Sequence, residues 1–227
     1  MRASLCILGL ALAGLTASAA VPVPPTLVPG NVLTNPGFEQ GFTGWTQYNG
    51  GAPNIVTTAG AHDTATGVLV REAYSGHFVR QDFVPLDADI LAFQFSADVV
   101  ANAMATCVQT ARIAPEYIAT GGSQFNAWVQ LGHGQVGFRV YGGALAQAPM
   151  PEAGAWHDYR VVLVRPLSVG LLLVDGELIM VTQGDAEGMG PPILTMFGDT
   201  AGSNANNGCG PAPDVAWDEV YVGTRLP

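Results

Sequence analysis

The stretch Asn126–Tyr141, NAWVQLGHGQVGFRVY, alternates apolar and polar residues on both sides of a central His133-Gly134 pair. A two-residue connection that contains glycine is typical of a tight β-hairpin turn. A one-residue slip would mix apolar and polar side chains on each face, so the pattern itself selects one register. In that register, one face of the hairpin is wholly apolar: Ala127, Val129, Leu131, Val136, Phe138 and Val140. The stretch therefore predicts an antiparallel hairpin with one buried face.

A second hairpin is predicted around Asp175-Gly176, a strong signal for a type I′ turn. The turn joins Val169–Val174 to Glu177–Val181, and both of these runs are nearly all apolar. Continuous apolar runs are typical of strands that are buried on both faces. We therefore expect this hairpin to lie at the centre of a sheet.

Short β-like runs recur along the rest of the chain, punctuated by Gly, Pro, Asn and Asp. The segment Ala101–Tyr117 has no clear period and is predicted as helix or loop. No internal repeat or second linker follows Asn31, so residues 31–227 are predicted to form one all-β domain. The remaining predicted strands are Gly67–Arg71, His77–Phe83, Ile90–Val99, Tyr159–Val164, Ile193–Phe197 and Val215–Val222.

Residues 1–20 have the pattern of a signal peptide. Arg2 supplies a positive charge, an apolar run from Leu5 to Leu15 is too short to span a bilayer, and Ala17-Ser18-Ala19 forms a small-x-small cleavage pattern. A retained membrane anchor is the alternative. Residues 21–30 are Pro-rich and are predicted to be an extended leader. We expect a secreted or periplasmic protein with no membrane insertion after signal cleavage.

The charge balance is acidic. Eight basic residues, all of them arginine, face eighteen acidic residues, which gives a formal net charge of −10. An acidic chain without a basic cluster is a poor partner for nucleic acid or for an anionic membrane surface. Only 11% of residues are charged, and 29 glycines and 16 prolines suit short strands joined by tight turns.

Two cysteines, Cys107 and Cys209, remain once the predicted cleavage has removed Cys6. Two thiols in an oxidising compartment usually pair, so a Cys107–Cys209 disulfide is predicted. This bond would close a loop of about 100 residues, which would stabilise the fold by about 4 to 5 kcal/mol in the chain-entropy model. Two buried free thiols are the alternative, and no Cys/His spacing indicates a zinc site.

Two parts of the chain resemble known families. NVLTNPGFEQGFTGW (Asn31–Trp45) and the run Val79–Val99 resemble carbohydrate-binding modules of the galactose-binding jelly-roll type. Ala155–Leu163, Leu171–Ile179 and Ile193–Gly223 resemble the laminin-G and concanavalin A-like sandwiches. Both resemblances imply a two-sheet antiparallel jelly-roll sandwich whose first and last strands lie side by side. The domain length favours the concanavalin A-like version, with the galactose-binding-like version as the alternative.

The polar face of the first hairpin is the main candidate for ligand binding. A flat aromatic ring can stack on the apolar face of a sugar while amide and guanidinium groups bond its hydroxyls. Alternatively, Trp128 stacks on Arg139 as a cross-strand cation–π pair that covers the sheet. The predicted carbohydrate-binding residues are Asn126, Trp128, Gln130, Arg139 and Tyr141; weaker aromatic candidates are Tyr48, Tyr74 and Phe78.

The resemblance to the NPGFE-type modules also implies a structural calcium ion. Its carboxylate ligands would be Glu39 in the NPGFE segment and Asp218 on the last strand. Calcium prefers six to eight oxygen ligands, so carbonyls and water would complete the shell. The alternative makes both residues exposed carboxylates at edge positions. Asp199 and Asp214 are weaker candidates by analogy with the concanavalin-like relatives.

Catalysis has little support in the sequence. The E-x-D-x-x-E strand motif of concanavalin-like hydrolases does not occur, and glycoside hydrolysis needs two opposed carboxyl groups. A Ser–His–Asp set drawn from Ser75, His77 or His62, and Asp63 has no supporting motif. A lyase-type set of Arg139, Tyr141 and His133 has suitable residue types without a motif.

The sequence therefore predicts a secreted, lectin-like module that binds a polysaccharide or glycan on an aromatic-bearing sheet. A structural or adhesive surface protein is one alternative. A small polysaccharide lyase or hydrolase is the other.

Overall fold

The computed structural model describes residues 29–48, 54–62, 64–71, 77–115, 125–185, 190–198 and 212–225. These residues form two antiparallel sheets of seven strands each, packed face to face. The predicted two-sheet jelly-roll sandwich is confirmed. The helical structure in the described ranges is one 3₁₀ turn at Arg165–Leu167. None of their helices has the length and hydrophobicity needed to span a membrane.

The first sheet contains seven strands whose spatial order differs from their chain order, as expected for crossovers between the two layers. In spatial order they are β1 (Thr46–Tyr48), β4 (Phe78–Asp82), β13 (Leu194–Gly198), β6 (Gln109–Ala114), β7 (Ala127–Gly132), β8 (Gln135–Val140) and β9 (Ala146–Pro149).

The second sheet packs across the core from the first. In spatial order it contains β12 (Glu177–Gln183), β11 (Val169–Val174), β10 (His157–Val164), β5 (Ile90–Ala101), β14 (Asp214–Gly223), β3 (Gly67–Val70) and β2 (Ile55–Thr58). Each strand predicted from the sequence overlaps one of these fourteen strands.

The first hairpin has the predicted register. Val129 pairs with Phe138, and Trp128 pairs with Arg139. His133 and Gly134 have φ angles of 56° and 68°, which is the backbone of a type I′ turn. The apolar face lies in the core, where its side chains are fully buried: Ala127, Val129, Leu131, Val136, Phe138 and Val140.

The second hairpin turns at Asp175-Gly176 as predicted, with φ angles of 51° and 82°. Its predicted central position is wrong, because β12 is the edge strand of the second sheet. Val181 on this strand is 47% exposed. An apolar run has the same sequence pattern on a central strand and on an edge strand with an uncovered outer face, so periodicity alone does not distinguish them.

The prediction of helix or loop for Ala101–Tyr117 is confirmed for Asn102–Val108, which form turns and bends, and is wrong for Gln109–Ala114. The strand β5 continues to Ala101, and β6 follows at Gln109–Ala114. In β6, Ala111 and Ile113 lie in the core, so the alternate residues point away from it. The strand is short and follows a turn, which hides its alternation. The strands β1, β2 and β9 also lie outside every predicted run.

The two ends of the domain lie side by side, as the resemblance implies. The Val32 N–H donates to the Val222 carbonyl at 3.0 Å, and the Val220 N–H donates to the Pro36 carbonyl at 3.0 Å. Between these contacts and β1, Phe38 and Trp45 are buried with ring centroids 4.7 Å apart. The NPGFE segment therefore anchors the entering chain against the last strand.

Cys107 is buried and disulfide-bonded. Cys209 lies outside the described residues, so its pairing with Cys107 stays a prediction.

An aromatic cluster connects the two sheets. The ring of Phe197 on the first sheet lies 5.2 Å from Trp217 and 5.6 Å from Phe95 on the second sheet. Trp45 and Phe93 pack on the same ring at 6.0 Å and 5.9 Å. Because Phe197 contacts aromatic rings from both layers, its removal would leave a cavity at the centre of the core.

The substitution Phe197→Ala should lower the free energy of unfolding by about 3 to 5 kcal/mol, because it removes a fully buried ring. Denaturant unfolding followed by tryptophan fluorescence measures this. The control is Val84→Ala, at a residue that is 80% exposed and should cost less than about 0.5 kcal/mol. Similar losses for both variants would contradict the assigned core.

Candidate functional site

The outer face of the first sheet carries a row of side chains in cross-strand register. Directly opposed residues lie on the same face of an antiparallel sheet. The alternate residues Val79, Phe197, Ala111, Val129 and Phe138 lie in the core. The row therefore points away from the core; we call it the outer row, and it consists of Arg80, Met196, Arg112, Trp128 and Arg139.

Trp128 lies between two arginines on the neighbouring strands. The guanidinium carbon of Arg139 lies 3.9 Å from the Trp128 ring centroid, and that of Arg112 lies 5.1 Å from it. Phe125 packs edge-on against the indole at 5.4 Å, and its ring is 4.8 Å from the Arg139 guanidinium. The cation–π pair of Trp128 and Arg139, expected in the alternative interpretation, is present. Arg112 extends it to a third strand.

This stack is partly removed from water. Arg112 is only 3% exposed, and burial lowers the pKa of Arg139, although a guanidinium stays charged at neutral pH. The indole Nε1–H of Trp128 is buried and has no hydrogen-bond acceptor in the part of the chain that the structure describes. A buried donor without an acceptor lowers the stability of the folded protein, and such donors are rare in native proteins.

The two predicted amides differ in environment. Gln130 lies over Gly137 on β8, where a Cβ on residue 137 would come within 2.5 Å of Gln130 Cγ. Asn126 is fully buried, and its Nδ2 donates to the Gly190 carbonyl at 2.7 Å. Asn126 therefore bridges the hairpin to the segment before β13, while Gln130 remains partly exposed.

Aromatic side chains extend the same face beyond the outer row. Tyr141 lies 6.3 Å from the Phe125 ring. At the other end of the sheet, Tyr48 stacks on Phe78 with centroids 4.6 Å apart. Tyr74 lies outside the described residues.

The predicted lyase-type set is not brought together. His133 occupies the exposed turn between β7 and β8, whereas Tyr141 follows the far end of β8. The six residue-to-residue steps from Gln135 to Tyr141 span about 20 Å in a strand. His133 and Tyr141 therefore cannot contact one sugar ring at the same time.

The structure also does not support the Ser–His–Asp set considered in the sequence. His62 contacts the second sheet, and His77 directly precedes β4 in the first sheet. Ser75 and Asp63 lie outside the described residues.

A polar cluster that the sequence pattern did not predict lies on the second sheet. His62 Nε2 lies 3.0 Å from Asp158 Oδ1 and 3.5 Å from Glu219 Oε2. Ser96 Oγ donates to Asp158 at 2.6 Å and lies 3.0 Å from Glu219. The three ligating atoms of His62, Asp158 and Glu219 lie within 4.8 Å of one another, so this group could hold a metal ion.

A β-bulge explains why the sequence pattern did not reveal this cluster. The pairing of β14 with β5 shifts between Asp218 and Tyr221, and Glu219 has a φ of 47°. A bulge redirects a side chain that regular alternation would place elsewhere. No signal in the sequence marks this position.

The two predicted calcium ligands bind neighbouring parts of one turn. Glu39 is exposed, and its Oε1 accepts hydrogen bonds from the N–H groups of Ala65 and Thr66 at 2.8 and 3.1 Å. Asp218 Oδ2 accepts from the Ala61 N–H at 2.8 Å. Both carboxylates therefore hold the segment that carries His62.

Asp218 is fully buried, so the alternative that makes it an exposed carboxylate is wrong. The Thr64 hydroxyl and the Glu219 N–H donate to it as well. Burial raises the pKa of Asp218 to about 7, although these hydrogen bonds act in the opposite direction. Asp214 begins β14, and Asp199 lies outside the described residues. A calcium ion at Glu39 and Asp218 stays a prediction.

Asp98 is a further buried carboxylate of the second sheet, with 9% exposure. Burial raises its pKa, while the backbone N–H of Gly154 and the charge of His157 lower it. Burial, with the charges of Asp175 and Asp98, raises the pKa of the neighbouring Tyr159. The ionised form of Asp98 is therefore less stable in the folded protein than in the unfolded chain.

Comparisons with known proteins identify the fold and no family. No family model matches the sequence, and no curated protein matches it significantly. Among solved structures, the globular domain of T. cruzi calreticulin superposes with a TM-score of 0.58 at 13% identity, covering 84% of this chain and 87% of that domain. Cellulose induced protein Cip1 superposes with a TM-score of 0.56 at 15% identity, covering 83% and 95%.

Two further neighbours are described as enzymes. A sialidase superposes with a TM-score of 0.60 at 14% identity over 90% of this chain, which spans only 19% of the sialidase. The alginate lyase AlgAT5 of polysaccharide lyase family 7 has a TM-score of 0.52 at 10% identity, covering 91% of this chain and all of that one. At these identities the likeness establishes a jelly-roll sandwich alone.

Replacing Asp98 by Asn should change how stability depends on pH. With a raised pKa in the folded state, wild-type Asp98 stabilises the fold only at low pH, and that contribution is lost as the pH rises above about 4. The unfolding free energy of Asp98→Asn should therefore rise relative to wild type between pH 3 and 7 in urea titrations. The control Val84→Ala alters no titratable group and should show a flat difference. A flat difference for Asp98→Asn would contradict this account.

Proposed function

We propose that this protein binds a polysaccharide or glycan on the outer face of its first sheet, around Trp128, Gln130 and Arg139. Together with the signal-like residues 1–20, this makes it a secreted or periplasmic lectin-like module. Binding requires no group beyond those the face presents.

The unpartnered indole N–H of Trp128 is the observation that carries this proposal. Sugar hydroxyls and ring oxygens can accept from this donor once a ligand displaces the groups that cover the buried nitrogen. Arg139 lies against the Trp128 ring and is half-buried, so we expect its guanidinium and the indole edge, with the Gln130 amide, to contact the sugar. Regular strands hold all of these groups, so little ordering entropy is lost on binding.

The comparisons support a carbohydrate ligand in general terms. Three of the structural neighbours are described as a sialidase, an alginate lyase and a cellulose-induced protein. A shared fold does not transfer an activity, so these likenesses favour the ligand class and assign no reaction to this chain.

Affinity electrophoresis in polysaccharide-containing gels tests the proposal. Wild type should be retarded by at least one polysaccharide. Gln130→Ala should weaken retardation about tenfold, because it removes a partly exposed hydrogen-bonding amide beside the indole. Trp128→Phe keeps the aromatic packing and removes the N–H, and it should have a similar effect. Far-ultraviolet circular dichroism verifies that each variant is folded.

The matched control is Trp156→Ala, which precedes β10 in the second sheet and should leave retardation unchanged. If no polysaccharide retards the wild-type protein, the proposal is wrong and a structural or adhesive role becomes the better account. Equal losses for all three variants would contradict the assigned face.

We also propose that a divalent cation binds beside the second sheet. Two groups of ligands are available: the predicted calcium pair Glu39 and Asp218, and the group of His62, Asp158 and Glu219. Oxygens of both groups already accept hydrogen bonds from protein groups. The second group offers three ligating atoms within 4.8 Å, so it fits a cation better.

Calcium should raise the midpoint of thermal unfolding relative to EDTA, because a ligand that binds only the folded state stabilises it. Differential scanning calorimetry measures this shift. Glu219→Gln should abolish the shift if the ion binds the His62 group, and Glu39→Gln should abolish it if the ion binds the predicted calcium pair. An unchanged midpoint in wild type would contradict a bound calcium ion.

A further inference from the structure

Charge is unevenly distributed between the two outer faces of the sandwich. The strands of the first sheet place three of the chain's eight arginines on the outer row, namely Arg80, Arg112 and Arg139. Asp82 is the carboxylate that these described strands place on the same face. The described strand positions of this face therefore carry a formal charge of 3 − 1 = +2, within a chain of net charge −10.

The second sheet has the opposite balance. Its outer side carries Asp98, Asp158, Asp218 and Glu219 against the single arginine Arg160 in the described strands. An acidic protein repels a polyanion at long range, so a site for one must be locally positive. The separation of charge supplies such a site at the outer row.

The cations of the outer row differ in their partners. Arg80 Nε donates to Asp82 Oδ1 at 2.6 Å, which offsets its charge. Arg139 makes no ion pair with any residue that the structure describes, and its guanidinium lies over the ring faces of Phe125 and Trp128. Ring faces attract a cation but leave the in-plane N–H donors of the guanidinium available.

We propose that the glycan bound at this face is anionic, with a carboxylate or sulfate group that meets Arg139 beside the Trp128 indole N–H. This inference rests on the proposed function. A guanidinium can donate two parallel hydrogen bonds to a carboxylate or sulfate, and such charge-assisted bonds are stronger than those to a neutral hydroxyl. Arg139 is half-buried, and the effective dielectric is lower there than in water, so its attraction to an anionic group is stronger than at a fully exposed site.

The test compares polymers that share a backbone and differ in charge. One pair is polygalacturonate and its highly methyl-esterified form, and the other is dextran sulfate and dextran. Wild type should bind the charged member of at least one pair at least tenfold more tightly in affinity gels. The pair that shows this preference identifies the group as carboxylate or sulfate. Raising NaCl from 50 to 300 mM should weaken this binding, because salt screens exposed charges.

Variants locate the preference. Arg139→Gln should reduce it to less than threefold, and Arg139→Lys should restore only part of it, since lysine cannot donate the bidentate pair. Arg160→Gln makes the same charge change on the opposite face and should leave the preference intact. Equal losses for Arg139→Gln and Arg160→Gln would overturn the assignment to this face.

Two outcomes separate this inference from the proposed function. Equal binding of charged and neutral members, or retention of neutral polysaccharides alone, would overturn the anionic ligand and leave glycan binding intact. Retention of no polymer in a broad panel would overturn the proposed function, and the anionic ligand with it.

Discussion

The register of the β7–β8 hairpin is the constraint on which both the core and the candidate site depend. A type I′ turn at His133-Gly134 fixes which residues oppose one another. The same register that buries Val129 and Phe138 places Trp128 and Arg139 on the outer face. A slip by one residue would bury a guanidinium and expose an apolar strand. Folding energetics therefore hold the proposed binding groups in place.

Neighbouring strands complete what the hairpin begins. Arg112 on β6 and Phe125 before β7 enclose the indole, so the face is a packed cluster with partial access to water. Packing of this kind keeps the guanidinium groups oriented before a ligand arrives. The cost is a buried indole N–H without an acceptor among the described residues, and a ligand that supplies an acceptor would recover that cost.

The family resemblances implied the two-sheet sandwich. Local alternation was enough to predict the all-β class and the register of the first hairpin, because period-2 patterning with a glycine turn has one good solution. It failed where the same pattern fits two positions, as for the apolar hairpin that ends in the edge strand β12. It also failed at β6, whose short alternation hid Arg112. The available signal was the alternation of outward Thr110 and Arg112 with inward Ala111 and Ile113.

The second sheet shows a deeper limit of sequence analysis. His62, Asp158 and Glu219 are separated along the chain by 96 and 61 residues and meet only because a bulge redirects Glu219. No local pattern encodes such a meeting. By contrast, Asn126, Trp128, Gln130, Arg139 and Tyr141 were predictable as a group because one hairpin carries or adjoins all of them.

The most direct test of the central claim is the ¹⁵N–¹H spectrum of the tryptophan indoles, recorded while fragments of a retained polysaccharide are added. The chain has four tryptophans, so four indole N–H signals report separately. Trp45 and Trp217 already donate to the Asn35 carbonyl and to Gln109 Oε1. If the outer face of the first sheet binds the glycan, the Trp128 signal should shift with saturation while those two stay in place. A Trp128 signal that does not move while the fragment binds would contradict the account.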